Sequence, residues 1–275
     1  MSVAQGRSEI RDLLKRHGLR PRKRLGQHFL ADPNLVERIV REAAVGPGDR
    51  VVEIGAGTGT LSKALAATGA RVVAYEIDEG LRPLLEESLA ESTVEVRFAD
   101  ALTVDLSTEL GDGEWILVAN LPYNVGTPLL LEILRGAPNI VRFVVMLQRE
   151  VADRLVADPG TSAYGLPSVG AALRAEVRFG FAVSPQVFLP PPDVGSAVVT
   201  LVRRQAPPGA DLAERLAAVA FNQRRKMLRR SLAQRLGDPE GVLLAAGIDP
   251  TARPEELGVG RWLDLAAVVA AREDS

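Results

Sequence analysis

Hydrophobic and polar positions follow two different repeats along the first two thirds of the chain. Short runs rich in β-branched residues alternate with stretches whose apolar positions lie three and four residues apart. The runs predict strands over 50–54, 71–75, 94–98, 115–119 and 140–147, and the stretches predict helices over 35–44, 60–67, 79–90 and 128–135. Asp32 and Pro33 form a start signal for the first helix. This alternation predicts an α/β protein with a mostly parallel, doubly wound sheet.

The last third of the chain has a different pattern. Two longer runs, 175–183 and 196–203, predict strands that pair antiparallel at the edge of the sheet. A linker rich in proline and alanine follows at 205–210, and the chain beyond it is helical. We therefore expect an N-terminal arm over 1–30, an α/β domain over 31–205 and a small all-α domain over 206–275.

The amino-acid composition excludes several kinds of catalytic and metal-binding site. The absence of cysteine excludes disulfides, thiolate catalysis and cysteine-ligated metal sites, and the two histidines, His17 and His28, are too few for a histidine-rich site. We therefore expect no metal. Residues 1–14 carry charges and no apolar core, and no later stretch approaches 18 uninterrupted apolar residues, so we expect a cytoplasmic protein without a membrane partner.

Charge is distributed unevenly although the net charge is only −2. Residues 1–30 contain eight bases and two acids, residues 48–115 contain five bases and fourteen acids, and residues 215–237 contain seven bases and no acid. Two basic segments on either side of an acidic central segment are typical of a protein that binds a polyanion through its terminal segments and a cationic ligand through its central segment. The alternative is that both basic segments are merely solvated helix faces.

A glycine-rich turn follows the first predicted strand directly, in the order Glu53-Ile-Gly55-Ala-Gly57-Thr-Gly59. Glycines allow the tight turn and let a ligand approach the backbone without a Cβ in the way. A plain dinucleotide site expects glycine at position 60, where this chain has Thr60. The pattern instead resembles the S-adenosylmethionine turn of Rossmann-type methyltransferases. A turn that binds no ligand is the alternative.

Acidic residues stand at the ends of the next two strands. Glu76 ends the second strand, where a carboxylate can accept hydrogen bonds from both ribose hydroxyls of an adenosyl group. Asp100 follows the third strand and can accept a hydrogen bond from the adenine amine of the cofactor. Because open α/β sheets bind ligands at the carboxyl ends of their strands, these acids and the glycine turn predict one common site.

The fourth strand ends in Asn120-Leu121-Pro122-Tyr123. The side-chain carbonyl of Asn120 and the backbone carbonyl of Leu121 can each accept one N–H of an adenine amine, so that its lone pair is directed at a methyl donor. Pro122 stiffens the turn, and Tyr123 offers a face on which an extruded base can stack. Catalysis would then depend on proximity and alignment. Taken alone, the same four residues are equally typical of a structural turn.

Together the motifs closely resemble those of ribosomal RNA adenine dimethyltransferases of the KsgA family, and they run in family order across nearly the whole chain. The matching segments, besides the glycine turn, the two acids and the Asn-Leu-Pro-Tyr sequence, are 22–30 (RKRLGQHFL), 147–150 (LQRE), 163–165 (AYG), 187–194 (VFLPPPDV), 196–198 (SAV) and 224–226 (RRK). The resemblance implies a Rossmann-like class I methyltransferase with S-adenosylmethionine as its cofactor.

The resemblance also implies a reaction and a set of site residues. The family dimethylates the 6-amino groups of two adjacent adenosines near the 3′ end of the small-subunit ribosomal RNA. The residues expected to bind the cofactor are His28, Leu30, Glu53, Gly55, Gly57, Gly59, Glu76, Asp100 and Asn120. Tyr123 and Phe188 are expected to sandwich the target adenine. The residues expected to bind RNA are Arg22, Lys23, Arg24, Arg224, Arg225, Lys226 and Arg229.

The chain departs from the family pattern at three places. His28 stands where the family usually has asparagine, Gly195 where it usually has aspartate, and Leu166-Pro167 where arginine and leucine are more usual. A neutral imidazole can still form a hydrogen bond, so His28 keeps a potential cofactor contact. Gly195 and Leu166-Pro167 lie on the side where the substrate is expected, so these two departures affect the expected RNA contacts.

Three other functions compete with this hypothesis. An Erm-type enzyme would methylate a large-subunit adenine, but the Asn-Leu-Pro-Tyr sequence, the prolines at 190–192 and the long C-terminal segment favour the first family. A non-catalytic RNA-binding assembly factor would not need Glu53, Glu76, Asp100 and Asn120 together. A nicotinamide dehydrogenase is disfavoured by Thr60 and by the lack of a proton-relay residue. We expect a monomer, since the enzyme must meet a very large ribosomal partner.

Overall fold

A computed structural model describes residues 4–273. Its strands are β1 (Phe29–Leu30), β2 (Arg50–Ile54), β3 (Arg71–Glu76), β4 (Glu95–Phe98), β5 (Trp115–Asn120), β6 (Ile140–Gln148), β7 (Ala175–Val183), β8 (Phe188–Leu189) and β9 (Ser196–Arg203). Its α-helices are α1 (Arg7–Arg16), α2 (Pro33–Ala43), α3 (Thr60–Ala66), α4 (Arg82–Ser88), α5 (Leu106–Leu110), α6 (Gly126–Gly136), α7 (Arg149–Leu155), α8 (Leu166–Ala172), α9 (Ala210–Phe221), α10 (Leu228–Ser231), α11 (Pro239–Ala245) and α12 (Val259–Glu273).

The central feature is a seven-stranded sheet with the order β4-β3-β2-β5-β6-β9-β7. Strands β2 to β6 are parallel, and β9 pairs antiparallel with β6. Every strand predicted from the hydrophobic pattern is present, including the two at the edge. The central strands are apolar and fully buried at Val51, Val52, Leu117 and Val118, as expected of strands covered on both faces.

The order of the strands creates a switch point between β2 and β5. The chain passes from β2 outward through β3 to β4 and then returns to β5 on the other side of β2. The connections that follow β2 and β5 therefore run in opposite directions and leave a crevice at the carboxyl ends of these two strands. Open α/β sheets bind their ligands in such a crevice. The glycine turn and Asn120 both lie at this point.

Local signals explain where the helices begin. The Asp32 carboxylate caps α2 by accepting hydrogen bonds from the backbone N–H groups of Asn34 at 2.9 Å and Leu35 at 3.2 Å. The helix predicted over 79–90 is instead a short 3-10 turn followed by α4. Pro83 lies in the first turn of α4, where its missing N–H costs no helical hydrogen bond.

The N-terminal segment differs from the predicted arm. Helix α1 buries Ile10, Leu13 and Leu14, which pack with Leu84 and Leu85 of α4 in one apolar cluster. The apolar stripe is three and four residues apart and was obscured by the many charges around it. Much of the basic segment 1–30 is therefore a folded part of the α/β unit.

The chain divides into two compact units, the first containing residues up to Ala152 and Arg178–Val202, and the second containing Asp153–Val177 and the residues from Arg203 onward. The second unit therefore includes a segment that the predicted boundary at 205/206 leaves out. This segment contributes Tyr164, Val169 and Leu173 to the apolar cluster of the C-terminal helices. Tyr164 Oη also donates a hydrogen bond to Leu257 O at 2.8 Å.

Two features relevant to function can be read from residues 4–273. None of the helices in this range has the length and apolar character needed to cross a bilayer. Within the same range, no three side chains among the histidines, aspartates and glutamates come together as a group that could hold a metal ion.

Candidate active site

A cleft opens at the carboxyl ends of β2, β3 and β5 and encloses about 990 Å³ of empty space, part of it open to solvent. The sequence-predicted residues that line it are His28, Leu30, Glu53, Gly55, Gly57, Glu76, Asp100, Asn120, Leu121, Pro122 and Tyr123. Motifs separated by up to 95 positions are thus brought into one cavity.

The glycine turn lines the cleft with its first two glycines. Gly55 and Gly57 have φ angles of +85° and +58°, a conformation that favours glycine. Gly59 behaves differently, because it is not part of the cleft wall, and a Cβ there would lie 3.1 Å from Leu89 and 3.2 Å from Ser88 Oγ. Gly59 therefore permits close packing of α3 on the end of α4, and it does not line the cleft in which its cofactor contact was predicted.

Glu76 has a buried carboxylate, with 5% of the residue exposed. Its Oε2 accepts a hydrogen bond from Gly57 N at 2.8 Å and its Oε1 accepts one from Asp78 N at 2.9 Å. Burial raises the pKa of Glu76, and the two backbone hydrogen bonds oppose that rise. Because a carboxylate has about four acceptor positions, Glu76 can also accept hydroxyl groups from a ligand.

Two apolar side chains on the cleft wall are unusually exposed. Ile77 and Leu102 are 52% and 43% exposed, and both line the cleft near Asp100. The Asp100 carboxylate accepts a hydrogen bond from Leu102 N at 3.0 Å, which holds the loop. Sequence reasoning missed both apolar residues, although each follows a strand-end acid by one or two positions. A flat apolar ring bound between them would cover this surface.

Glu53 lines the innermost part of the cleft and is 1% exposed. Ser62 Oγ donates a hydrogen bond to its Oε2. Burial raises the pKa of Glu53 to about 8, so the side chain is protonated at neutral pH. Glu53 is therefore a neutral hydrogen-bonding group in the floor of the cleft rather than a negative charge.

Replacing Glu53 with glutamine is expected to change how stability depends on pH. The folded wild type keeps the Glu53 proton up to about pH 8, whereas an unfolded glutamate loses it near 4.5. The free energy of unfolding of the wild type therefore falls as the pH rises through this interval, by at most about 1.4 kcal/mol per pH unit. Glu53→Gln removes this contribution, so the variant gains stability over the wild type with rising pH.

Urea denaturation of both proteins at pH 5.5, 7 and 8 measures this difference. Glu79→Gln is the matched control, because Glu79 is an exposed glutamate. Its effect on the free energy of unfolding should not vary over the same pH range. Parallel pH curves for the wild type and Glu53→Gln would contradict the buried, protonated state of Glu53.

The Asn120–Tyr123 loop forms the opposite wall of the cleft. Asn120 Nδ2 donates a hydrogen bond to His28 O at 3.2 Å, which fixes the orientation of the amide and identifies Oδ1 as its acceptor end. Tyr123 Oη is hydrogen-bonded to Ser196 Oγ, and burial raises the pKa of the phenol, so Tyr123 remains neutral. The loop thus offers a directed carbonyl beside a fixed, uncharged aromatic ring.

Phe188, the residue predicted to sandwich the target adenine with Tyr123, lies away from the cleft surface. Phe188 is fully buried, packs in the apolar cluster beneath the cleft and does not line it. Strand β8 places it there by pairing with β1, where Leu30 lies opposite Phe188. Instead, the His28 ring stacks on Tyr123 with 5.6 Å between ring centroids and an interplanar angle of 24°, and His28 Nδ1 donates to Pro190 O at 2.8 Å.

Comparison with known proteins agrees with this geometry. The family model for ribosomal RNA adenine dimethylase matches residues 18–271. The chain belongs to this family. The ribosomal RNA small subunit methyltransferase A of Phenylobacterium zucineum is 46% identical over 270 residues, which cover 97% of this chain and 94% of that protein. The protein of the same name from Rhodospirillum rubrum is 46% identical over 272 residues, with the same coverage of both chains.

Solved structures show the same fold as this adenine dimethylase chain. The crystal structure of a dimethyladenosine transferase from Plasmodium falciparum has a TM-score of 0.76 at 22% identity and covers 90% of this chain and 98% of its own. The crystal structure of the 23S rRNA methyltransferase ErmE has a TM-score of 0.66 at 27% identity and covers 88% and 99%. The predicted family and the predicted Rossmann-like methyltransferase fold are therefore confirmed.

The predicted RNA-binding residues of the first unit of this adenine dimethylase chain have different surroundings. Arg24 is exposed, and the side chain of Lys23 lies outside the part that the structure describes. Arg22 is engaged, because its Nη1 lies 2.6 Å from Asp78 Oδ1 in an ion pair. The Arg22 side chain is 43% exposed, so it is both paired with Asp78 and open to solvent.

The predicted RNA-binding residues of the second unit also fall into two groups. Arg224 is held by Glu255 at 3.0 Å and by the Ser162 carbonyl at 2.8 Å, and Arg229 is paired with Glu240. Arg225 and Lys226, the other two, are exposed on the loop between α9 and α10. These two cations are the ones best placed to meet a polyanion.

The three departures from the family pattern are accommodated without strain. His28 lines the cleft, as described above. A Cβ built on Gly195 meets Val183 O at 3.7 Å, an ordinary contact, so the backbone there does not demand glycine. Pro167 lies in the first turn of α8 in the second unit, where proline is well tolerated.

Proposed function

We propose that this chain transfers methyl groups from S-adenosylmethionine to the 6-amino nitrogens of two adjacent adenosines near the 3′ end of the 16S ribosomal RNA. One observation carries the proposal: a single cleft joins a glycine turn and a buried carboxylate to the Asn120–Tyr123 loop. Relatives named ribosomal RNA small subunit methyltransferase A, 46% identical over nearly the whole chain, support this substrate.

The cleft fits S-adenosylmethionine by the chemistry of its walls. Glu76 offers acceptor positions to ribose hydroxyls, and Asp100 offers a carboxylate to an adenine amine beside the exposed Ile77 and Leu102. The glycine turn lets the backbone approach a ligand closely. When bound, S-adenosylmethionine supplies an electrophilic methyl group on a positively charged sulfur.

The chain itself contributes alignment of the nucleophile. An adenine amine is a weak nucleophile because its lone pair is delocalised into the ring. The Asn120 Oδ1 and the Leu121 carbonyl accept its two N–H groups, and Pro122 keeps this loop rigid. The Tyr123 ring offers a face for stacking of the extruded base. The proton that the methylated nitrogen releases passes to water, so no side chain has to act as a general base in this scheme.

The partner of the enzyme is the small ribosomal subunit. Arg24 of the first unit and the exposed loop with Arg225 and Lys226 of the second unit contact the phosphates of its RNA. The enzyme works as a monomer in the cytoplasm, and the helical unit with residues 206–275 binds RNA. An Erm-type activity is less well supported, since ErmE is 27% identical to this chain.

A methyl-transfer assay tests the proposal. Labelled S-adenosylmethionine is supplied with unmethylated small subunits, large subunits or naked RNA, and the modified nucleosides are mapped by mass spectrometry. Dimethyladenosine at two adjacent positions of the small-subunit RNA is the expected product. A large-subunit product would assign an Erm-type activity, and the absence of any product would favour a non-catalytic assembly factor.

Neutralising Arg225 and Lys226 is expected to weaken RNA binding and its dependence on salt. Each lost phosphate contact should lower the slope of log K against log salt by about 0.7 to 0.9, so the double glutamine variant should lose about 1.5. Binding titrations between 50 and 300 mM salt give the slope. Arg261→Gln, which changes an exposed arginine paired with Asp264 in the same unit, is the control. An unchanged slope in the double variant would make this loop a merely solvated surface.

A further inference from the structure

Asp78 is almost completely buried, although it carries a charge and lies one residue beyond the cleft wall. It is 4% exposed, and its carboxylate accepts three hydrogen bonds: from Arg22 Nη1 at 2.6 Å, from Gln27 Nε2 at 2.8 Å and from Gly80 N at 3.0 Å. Arg22 N also donates to Gln27 Oε1 at 2.8 Å, which closes the network. We call Arg22, Gln27 and Asp78 the Asp78 clamp.

The clamp joins two parts of the cofactor cleft that are distant in sequence. On one side, Asp78 N donates to Glu76 Oε1, and Glu76 in turn accepts from the glycine turn. On the other side, Gln27 belongs to the segment 25–28, all four residues of which line the cleft. Any movement of that segment must therefore strain or break hydrogen bonds to a buried carboxylate, which is costly.

Two glycines make room for this arrangement. A Cβ on Gly80 would lie 3.0 Å from Arg22 Nη2 and 3.1 Å from Asp78 Oδ1, so a side chain there would push the guanidinium aside. Gly26 has a φ angle of +64°, and a Cβ there would lie 3.3 Å from Asn124 Oδ1 and 3.6 Å from Pro122 Cβ. The segment between Arg22 and His28 is thus seated tightly on the Asn120–Tyr123 loop.

We propose that Arg22, Gln27 and Asp78 are positioning residues that hold the wall 25–28 over the cofactor cleft and so set the affinity for the cofactor. This inference rests on the proposed function and assigns Arg22 to the cleft instead of to RNA. The clamp acts through the wall it fixes, while the alignment of the target amine remains with the Asn120–Tyr123 loop. Because His28 O in this wall also fixes the Asn120 amide, loss of the clamp lowers the rate at saturating cofactor as well, but by less than it weakens the affinity for the cofactor.

The test uses the full-length protein with Arg22→Gln, Arg22→Lys, Asp78→Asn and the double variant Arg22→Gln/Asp78→Asn. Titration calorimetry with S-adenosylhomocysteine measures affinity, and steady-state methylation separates KM for S-adenosylmethionine from kcat. Arg22→Gln and Asp78→Asn should each weaken binding and raise KM about tenfold, with a clearly smaller fall in kcat. The double variant should be little weaker than either single variant, and Arg22→Lys should recover most of the affinity.

Glu87→Gln is the matched control. Glu87 pairs with Arg16 and His17 and so also ties the N-terminal segment to α4, but these residues do not line the cleft. Its affinity for S-adenosylhomocysteine should stay within twofold of the wild type. Equal weakening in Glu87→Gln and Arg22→Gln would overturn the inference, because it would reduce the clamp to general docking of the segment.

Gly80→Ala provides a variant that keeps every clamp side chain. The substitution should displace the flexible end of Arg22 and weaken cofactor affinity, as Arg22→Gln does, with little change in melting temperature.

The salt dependence of RNA binding should not change in Arg22→Gln. A smaller slope of log K against log salt, together with unchanged cofactor affinity, would return Arg22 to the RNA interface.

Failure of the inference and failure of the proposed function give different results. A wild type that binds no S-adenosylhomocysteine overturns both. A different result overturns the role of the clamp alone. In that case the wild type binds S-adenosylhomocysteine and methylates RNA, and Arg22→Gln and Asp78→Asn bind S-adenosylhomocysteine with the same affinity as the wild type.

Discussion

Asn120→Ala is expected to lower kcat for methyl transfer by about 10²- to 10³-fold while cofactor affinity stays within a few-fold of the wild type. The amide of Asn120 is fixed by its hydrogen bond to His28 O, so its carbonyl oxygen is held in one direction before the substrate arrives. Alanine removes that oxygen and leaves the target amine with one acceptor, the Leu121 carbonyl. Its lone pair is then no longer held in the reactive direction.

Single-turnover methylation of small subunits with saturating cofactor measures this loss, and calorimetry with S-adenosylhomocysteine measures affinity. Asn124→Ala is the matched control, because Asn124 is an exposed asparagine on the same loop. It should retain kcat within a few-fold. Comparable turnover in Asn120→Ala and the wild type would remove Asn120 from the proposed mechanism.

Glu76→Ala is expected to weaken cofactor binding by about 100-fold or more, the loss that follows when a charged acceptor with two ligand hydrogen bonds is removed. The variant should also be less stable, since the backbone N–H groups of Gly57 and Asp78 both lose their acceptor. Each buried N–H left without a partner costs about 1 to 3 kcal/mol. Calorimetry and thermal denaturation of the same preparation measure the two effects.

A folded preparation is needed to attribute weak binding to the lost carboxylate. Circular dichroism of Glu76→Ala at the titration temperature supplies that check. Glu79→Gln is the control, because Glu79 lies three residues further along the same loop with its side chain exposed, and its affinity should match the wild type. Binding within threefold of the wild type in a folded Glu76→Ala would show that Glu76 does not hold the ribose.

The hydrophobic pattern was sufficient to predict the sheet, because buried parallel strands such as β2 and β5 are short, nearly continuous apolar runs. The same logic placed Glu76, Asp100 and Asn120 at one edge, since the carboxyl ends of parallel strands converge there. Helix α1 was missed for the opposite reason. Its apolar stripe of Ile10, Leu13 and Leu14 is narrow, and the charged residues around it are typical of an exposed basic segment.

Side-chain partners that are distant in sequence could not be predicted. Arg22 and Asp78 are 56 positions apart, and no local signal distinguishes an arginine that faces a buried carboxylate from one that faces solvent. The burial of Phe188 could not be predicted either, because its place in a proline-rich motif does not determine which face of β8 it occupies. The pairing of β8 with β1, which buries Phe188, involves segments that only the tertiary fold brings together.

That pairing has a consequence for how the protein is made. The wall of the cleft around His28 is completed by Pro190, 162 positions later, and strand β1 has no partner until β8 has been synthesised. A nascent chain that already contains the glycine turn, Glu76 and Asn120 therefore still lacks a finished cofactor site. Closure over so long a loop belongs to the slow, non-local class of folding events, so cofactor binding should begin only after about two thirds of the chain has left the ribosome.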